Sequence, residues 1–214
     1  MKRLVAVVIG CLTCWAVSPH AVQLTLDRRA LEEAIYIGQS RIESERTRFH
    51  APYRVRIMRP PIDWIDVITP FHRVELAAEN NARRGGRIFS QQEALAVMKD
   101  AVAQIDLLIE MSFHPLNTFV AVPPYQVQIV LPGGRRVEPK RIERYPRFGP
   151  RAESTGPALP GGTPQFGGGQ PVVGATILAP LDGSAFDPNQ RFEVVVLDGK
   201  MELARSSIDL GKMR

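Results

Sequence analysis

Three histidines outside the N-terminal apolar segment could carry acid–base or metal chemistry: His50, His72 and His114. They stand 22 and 42 residues apart, so they show no local metal-ligand spacing. His72 and Glu75 are three apart in a predicted helix and would share a face. A lone pair of this kind is more often a solvated helix face, so no metal site is expected, although a metal or acid–base role would begin with that pair. His114 precedes Pro115 and reads as a turn residue. Asp63 and Asp66 look like paired carboxylates. On a regular strand, residues three apart face opposite sides, so the two are not expected to cooperate.

Other signatures are absent or out of context. Gly167-Gly168-Gly169 has no Gly-Lys-Ser/Thr sequel and leads into Pro171 and a strand, so it lacks the helix start a phosphate loop needs. There is no Gly-x-Ser-x-Gly elbow. No cofactor is expected.

The densest charge feature runs from Arg135 to Arg151. It holds seven cations, Arg135, Arg136, Lys140, Arg141, Arg144, Arg147 and Arg151, against Glu138 and Glu143. The window's net charge of +5 equals that of the whole chain. Tyr145 and Phe148 are interleaved. This is a candidate surface for an anionic envelope component or a protein partner, or a charged strand edge that discourages pairing. Nucleic acid is not expected as a partner, because the chain reads as exported.

Export rests on the first 21 residues. Lys2 and Arg3 precede an uncharged apolar run, Leu4 to Val17, then Ser18, Pro19, His20 and Ala21. That order describes a secretory signal cleaved after Ala21, too short to span a bilayer. A periplasmic or extracellular location follows, with no spanning helix after signal removal. Val8-Ile9-Gly10-Cys11 also resembles a lipobox, which keeps a lipid-anchored form as an alternative. Cys11 and Cys14 are the two cysteines of the chain, so cleavage leaves a cysteine-free mature protein that must rely on its core.

The elements that would position these residues follow from periodicity. Asp27 to Arg48 has helical spacing. Tyr53 to Ile57 and Ile62 to Ile68 read as strands. Thr69-Pro70 starts a helix running to about Arg84. Ser90 and Glu93 form a capping box, with Leu95, Met98, Ala101 and Val102 on one face. From Ile105 to Phe113 the period becomes two. Further strands are expected at Phe119 to Val122, Tyr125 to Leu131, Val172 to Ala179 and Phe192 to Leu197. Asp198-Gly199 marks a hairpin. Residues 149–171 contain seven glycines and five prolines and read as a flexible loop.

The expected fold class is α+β, with N-terminal helices packed on an antiparallel, β-sandwich-like sheet region. Its parts are 1–21 signal, 22–103 helix-rich portion, 104–148 and 172–214 strands of one domain, and 149–171 loop. The expected function is that of an exported, non-catalytic binding or structural-interaction module. The alternative is a hydrolase whose site assembles from scattered residues, and a deep polar pocket around His72 would favour it.

Overall fold

A computed structural model describes residues 22–117, 119–149 and 170–214. The first 21 residues, read above as an export signal, Arg151 and most of the Gly/Pro-rich stretch lie outside the described residues. The fold is α+β. Among the described residues, four helices, α1 (Arg28–Gly38), α2 (Glu43–His50), α3 (Pro70–Arg83) and α4 (Gln91–Met98), accompany nine strands. The strands are β1 (Arg54–Arg59), β2 (Ile62–Ile68), β3 (Gln104–Ser112), β4 (Gln126–Val130), β5 (Arg136–Val137), β6 (Glu143–Phe148), β7 (Val172–Asp182), β8 (Arg191–Asp198) and β9 (Met201–Asp209).

They form two antiparallel sheets, ordered β1-β2-β3-β7-β6 and β5-β4-β8-β9. The alternation from Ile105 to Met111 does what period two dictates: Ile105, Leu107, Ile109 and Met111 point into the core. They meet Val127, Ile129, Val194 and Val196 of the second sheet in one apolar cluster. Strands on both sides of the Gly/Pro-rich stretch pair directly, β6 with β7 and β3 with β7. The Gly149 amide donates to the Pro171 carbonyl at 2.9 Å, which brings the two ends of that stretch together. At the β8–β9 hairpin, Asp198 faces Met201, and Gly199 adopts φ +57°, a conformation glycine tolerates without steric cost.

A second cluster lies among α1, α3 and α4, around Leu31, Ala34, Phe71, Val74 and Ala78. Thr69 caps α3, its hydroxyl accepting the His72 amide at 3.2 Å, and Pro70 occupies the first turn. The capping box of Ser90 and Glu93 starts α4. Among the described residues, no helix is long and apolar enough to cross a membrane.

Three local expectations are corrected. The helix expected over Asp27 to Arg48 is two helices. Gly38 ends α1 by lying against α3, where a Cβ would collide with the Glu75 carbonyl and lie 2.9 Å from the Ala78 methyl. Ser40 then diverts the chain by accepting the Ile42 amide with its hydroxyl, a local bond that competes with the helix ladder. The buried face of α4 is Ala94 and Met98, while Leu95 and Val102 are exposed, because the helix ends at Met98 and its phase does not extend to Val102. Phe119 to Val122 is not a strand. The Phe119 carbonyl accepts the Val172 amide, but Pro123-Pro124 follows at once and provides no donors.

Candidate metal centre

Among the described residues, four of the five buried polar side chains, Thr69, His72, Glu75 and Glu79, lie at or on α3, and the fifth, Asp106, pairs with Arg73. His72 lies in the first turn of α3, buried at 4% exposure, with its ring 4.0 Å from that of Tyr53. Its Nδ1 is 3.1 Å from the Val67 carbonyl. A carbonyl only accepts, so Nδ1 carries the proton and Nε2 presents a lone pair. Burial holds the ring neutral by lowering its pKa to about 4, against the opposing hydrogen bond to Val67.

His50, the last residue of α2, reaches in from the other side. Its Nδ1 is 3.0 Å from His72 Nε2, and its Nε2 is 3.2 Å from Glu79 Oε2 and 3.5 Å from Glu75 Oε1. A neutral imidazole has one N–H for these two contacts. Given to Glu79, it leaves two nitrogen lone pairs facing each other across 3.0 Å. Given to His72, it leaves a lone pair facing the Glu79 carboxylate. An added positive charge, a proton or a metal ion, removes the conflict in either arrangement.

Glu75 decides what kind of charge fits. Its side chain has no exposed surface, and neither carboxylate oxygen has a hydrogen-bond partner among the described residues. Burial, and then the negative charge of Glu79, push its pKa up to about 8. Glu75 Oε2 lies 3.9 Å from His72 Nε2. One ligand atom from each of His50, His72 and Glu75 falls within a common 4.8 Å. Zinc bonds of about 2.0–2.2 Å place tetrahedral ligands roughly 3.3–3.5 Å apart. The 3.0 Å contact to His72 uses His50 Nδ1 and the 3.5 Å contact to Glu75 uses His50 Nε2, so taking up one ion needs a small shift of the His50 ring or the carboxylate.

Glu79, one turn after Glu75, supports the group from behind. Burial alone would raise its pKa, but the hydrogen bond from Arg83 and the charge of His50 outweigh burial and hold it below the ordinary carboxylate range. Arg83 contacts it at 2.7 Å and Arg46 at 3.1 Å. If His50 binds an ion through Nδ1, its Nε2–H donates to Glu79. His72 binding through Nε2 already donates from Nδ1 to Val67. Both are the outer-shell bonds that fix a ligand histidine's tautomer and orientation.

The group opens into a cleft of about 760 Å³ between α2, α3 and the outer face of the first sheet. His50, His72 and Glu79 line its inner end, and Ile68, Leu76 and Leu108 supply apolar surface. The cleft lies beside His72 and has both polar and apolar walls.

The other sequence candidates lie elsewhere. Asp66 is held by Arg54 and Asp63 accepts from Ser112, so the two share no partner. The His114 ring accepts the Leu116 amide in a turn. Of the basic window, Arg135 donates to the Ala185 carbonyl, Arg136 to Gln128, Arg141 to Glu143, Arg144 to the Tyr125 carbonyl and Arg147 to Glu110. Lys140 donates its amide to the Pro180 carbonyl. None of these six lines the cleft. Arg144 and Arg147 lie on β6, an edge strand of the first sheet.

The sequence pairs His72 with Glu75 and names His50 as a candidate without joining it to that pair, and it misses Glu79 and Arg46. Glu79 had a signal, since positions 72, 75 and 79 follow one helical stripe. His50 had none, because the β1–β2 hairpin, not local spacing, brings it to α3. Comparison with family models, with curated proteins and with solved structures finds no match.

Proposed function

We propose that this protein binds a divalent ion of the zinc class through His50, His72 and Glu75, and that its function is metal-dependent chemistry in the cleft. The observation that carries the reading is Glu75: a carboxylate with no exposed surface and no hydrogen-bond donor, beside two histidine nitrogens. Burying an unpaired carboxylate is costly, so the metal-free chain keeps the Glu75 proton, and a metal ion that displaces it would engage the carboxylate and the histidine lone pairs together. Export fits this chemistry. A mature chain without cysteine offers nitrogen and oxygen ligands alone, the set that suits zinc, nickel or copper(II).

Three protein ligands and an open side facing a cleft form the pattern of a catalytic ion, whereas structural zinc sites are closed by four protein ligands. Such an ion polarises a bound oxygen or lowers the pKa of a bound water. On this reading an exported hydrolase is favoured over the non-catalytic module.

The test is metal content after equilibrium dialysis against zinc, with cobalt(II) absorption reporting the ligand geometry. One ion per chain is expected, lost in Glu75→Gln and His72→Ala, with near-ultraviolet circular dichroism confirming that the variants fold. Retention of zinc by folded Glu75→Gln at wild-type affinity would overturn the proposal, as would no retention by the wild type.

A further inference from the structure

The outer part of the cleft is lined by arginine. Arg54 and Arg56 are two apart on β1, so both project from the face opposite the core, and Arg83 projects from α3 on the facing wall. The acidic residues of the lining are Asp66 and Glu79. Cations therefore outnumber carboxylates before any metal charge is counted.

Both carboxylates are already engaged, in a way that fixes the arginines. Asp66 receives Arg54 as a fork, Nε and Nη2 each at 2.7 Å, and also accepts the Trp64 indole N–H. The Arg54 guanidinium lies 4.7 Å from the centre of the Trp64 ring, a cation–π contact that holds its plane. Glu79 Oε1 receives Nε and Nη2 of Arg83 at 3.1 and 2.7 Å. A guanidinium has five N–H donors, and in both arginines the Nη1 edge has no partner among the described residues. Arg56 lies across from Trp64 in the β1–β2 ladder and forms no ion pair among the described residues. Two cations are thus held in place with donors to spare, and a third is uncommitted. A cation already oriented loses little freedom on taking up an anion, so its hydrogen bonds are not offset by ordering.

We infer that the cleft binds a small oxyanion, the phosphate or carboxylate group of a soluble molecule, with one oxygen in the open position of the metal ion and the others on Arg54, Arg56 and Arg83. This rests on the proposed metal centre. The histidines and the guanidinium groups line one cleft, and a metal ion together with arginines on one oxyanion would stabilise charge developing on an oxygen. The volume of about 760 Å³ suits a small molecule rather than a folded partner. Neutral ligands would take hydrogen bonds from the arginines without the charge attraction, and so would bind more weakly.

The experiment is calorimetric titration of zinc-loaded protein with inorganic phosphate, with acetate, and with glucose as the neutral comparison. Wild type, Arg54→Gln and Arg56→Gln are compared, and the zinc content of each is measured separately. Arg56 is exposed, so its substitution leaves folding intact. Phosphate or acetate is expected to bind, the tighter of the two naming the group, while glucose does not. Arg56→Gln should weaken binding about tenfold or more with zinc retained, the loss expected for one charge-assisted hydrogen bond. Zinc retained with neither anion bound overturns this inference and leaves the metal centre standing, as does equal binding by wild type and both variants. Failure of the wild type to retain zinc overturns the metal centre, and with it the oxygen assigned to the ion. Titration of the zinc-free chain then decides the arginine subsite on its own: weaker binding by Arg56→Gln upholds it, and unchanged binding removes it.

Discussion

In the metal-free protein, Glu75→Gln should be more stable than the wild type, and the gain should depend on pH. The carboxyl has an ordinary pKa of 4.5 and is held at about 8 in the folded chain. The folded state therefore keeps its proton where the unfolded state releases it. A raised acid contributes stability that is complete below pH 4.5 and is lost as pH rises toward 8. At about 1.36 kcal/mol per unit of pH, the loss amounts to about 3 kcal/mol at pH 7 and under about 1 kcal/mol at pH 5. The substituted amide would have nearly the same shape as the carboxyl and no charge, so the variant escapes that loss. Urea unfolding after dialysis against a chelator measures the difference. The variant should exceed the wild type by up to about 3 kcal/mol at pH 7, and the gap should shrink toward pH 5. Zinc should close the gap from the other side, because ligand at about a hundred times its dissociation constant adds about 2.7 kcal/mol to the wild type alone. A gap that stays constant between pH 5 and pH 7, or a variant less stable than wild type at pH 7, would refute the account of Glu75 as an unpaired buried acid.

Three further outcomes follow from the packing. Gly38→Ala should cost about 1–3 kcal/mol and weaken zinc binding, since the added methyl forces α1 off the Glu75 segment of α3, and thermal unfolding with metal analysis would show both. Phe192→Ala should cost about 3–5 kcal/mol, because the ring is 2% exposed and packs 5.0 Å from the Phe186 ring, and a cost below about 1 kcal/mol would contradict that burial. Intact mass of the exported protein should correspond to a chain beginning at Val22, whose amide reaches the Pro188 carbonyl at 3.2 Å, and a mass that includes Met1 to Ala21 would remove the signal reading.

What could be read from the sequence was what local physics determines. Thr69-Pro70 and Ser90/Glu93 start helices because their side chains satisfy amides within three residues. Ile105 to Met111 declares a half-buried strand through its alternation alone. The reading failed where a distant contact overrides periodicity. Apolar spacing runs on past Gly38, yet α1 stops there because α3 lies too close for any side chain. Leu95 and Val102 are as apolar as Met98, but the short α4 turns them to solvent. The same distinction divides the site. His72 and Glu75 were visible as neighbours on one helix, whereas His50 joins them only through the fold of the intervening hairpin. The burial of Glu75, which gives the group its meaning, depends on α1 and has no trace in the residues beside it.

The helix that delivers His50 has a weak hold on the rest of the molecule. No residue of α2 is buried and its first residue lacks a side-chain cap. Phe49 is its one side chain packed on both apolar clusters, and its other ties to α3 are the Arg46–Glu79 ion pair and the contacts of His50 itself. A segment of this kind opens at a small fraction of the global unfolding free energy, so its amides exchange with solvent early. An ion bound by His50 would tie that loose end to α3, which is anchored in the helical core. Occupancy of the centre would then be written into the exchange protection of residues 43–50, far more than into the slow amides of β3 and β7. The most loosely held helix of the fold would thus report whether the centre is filled.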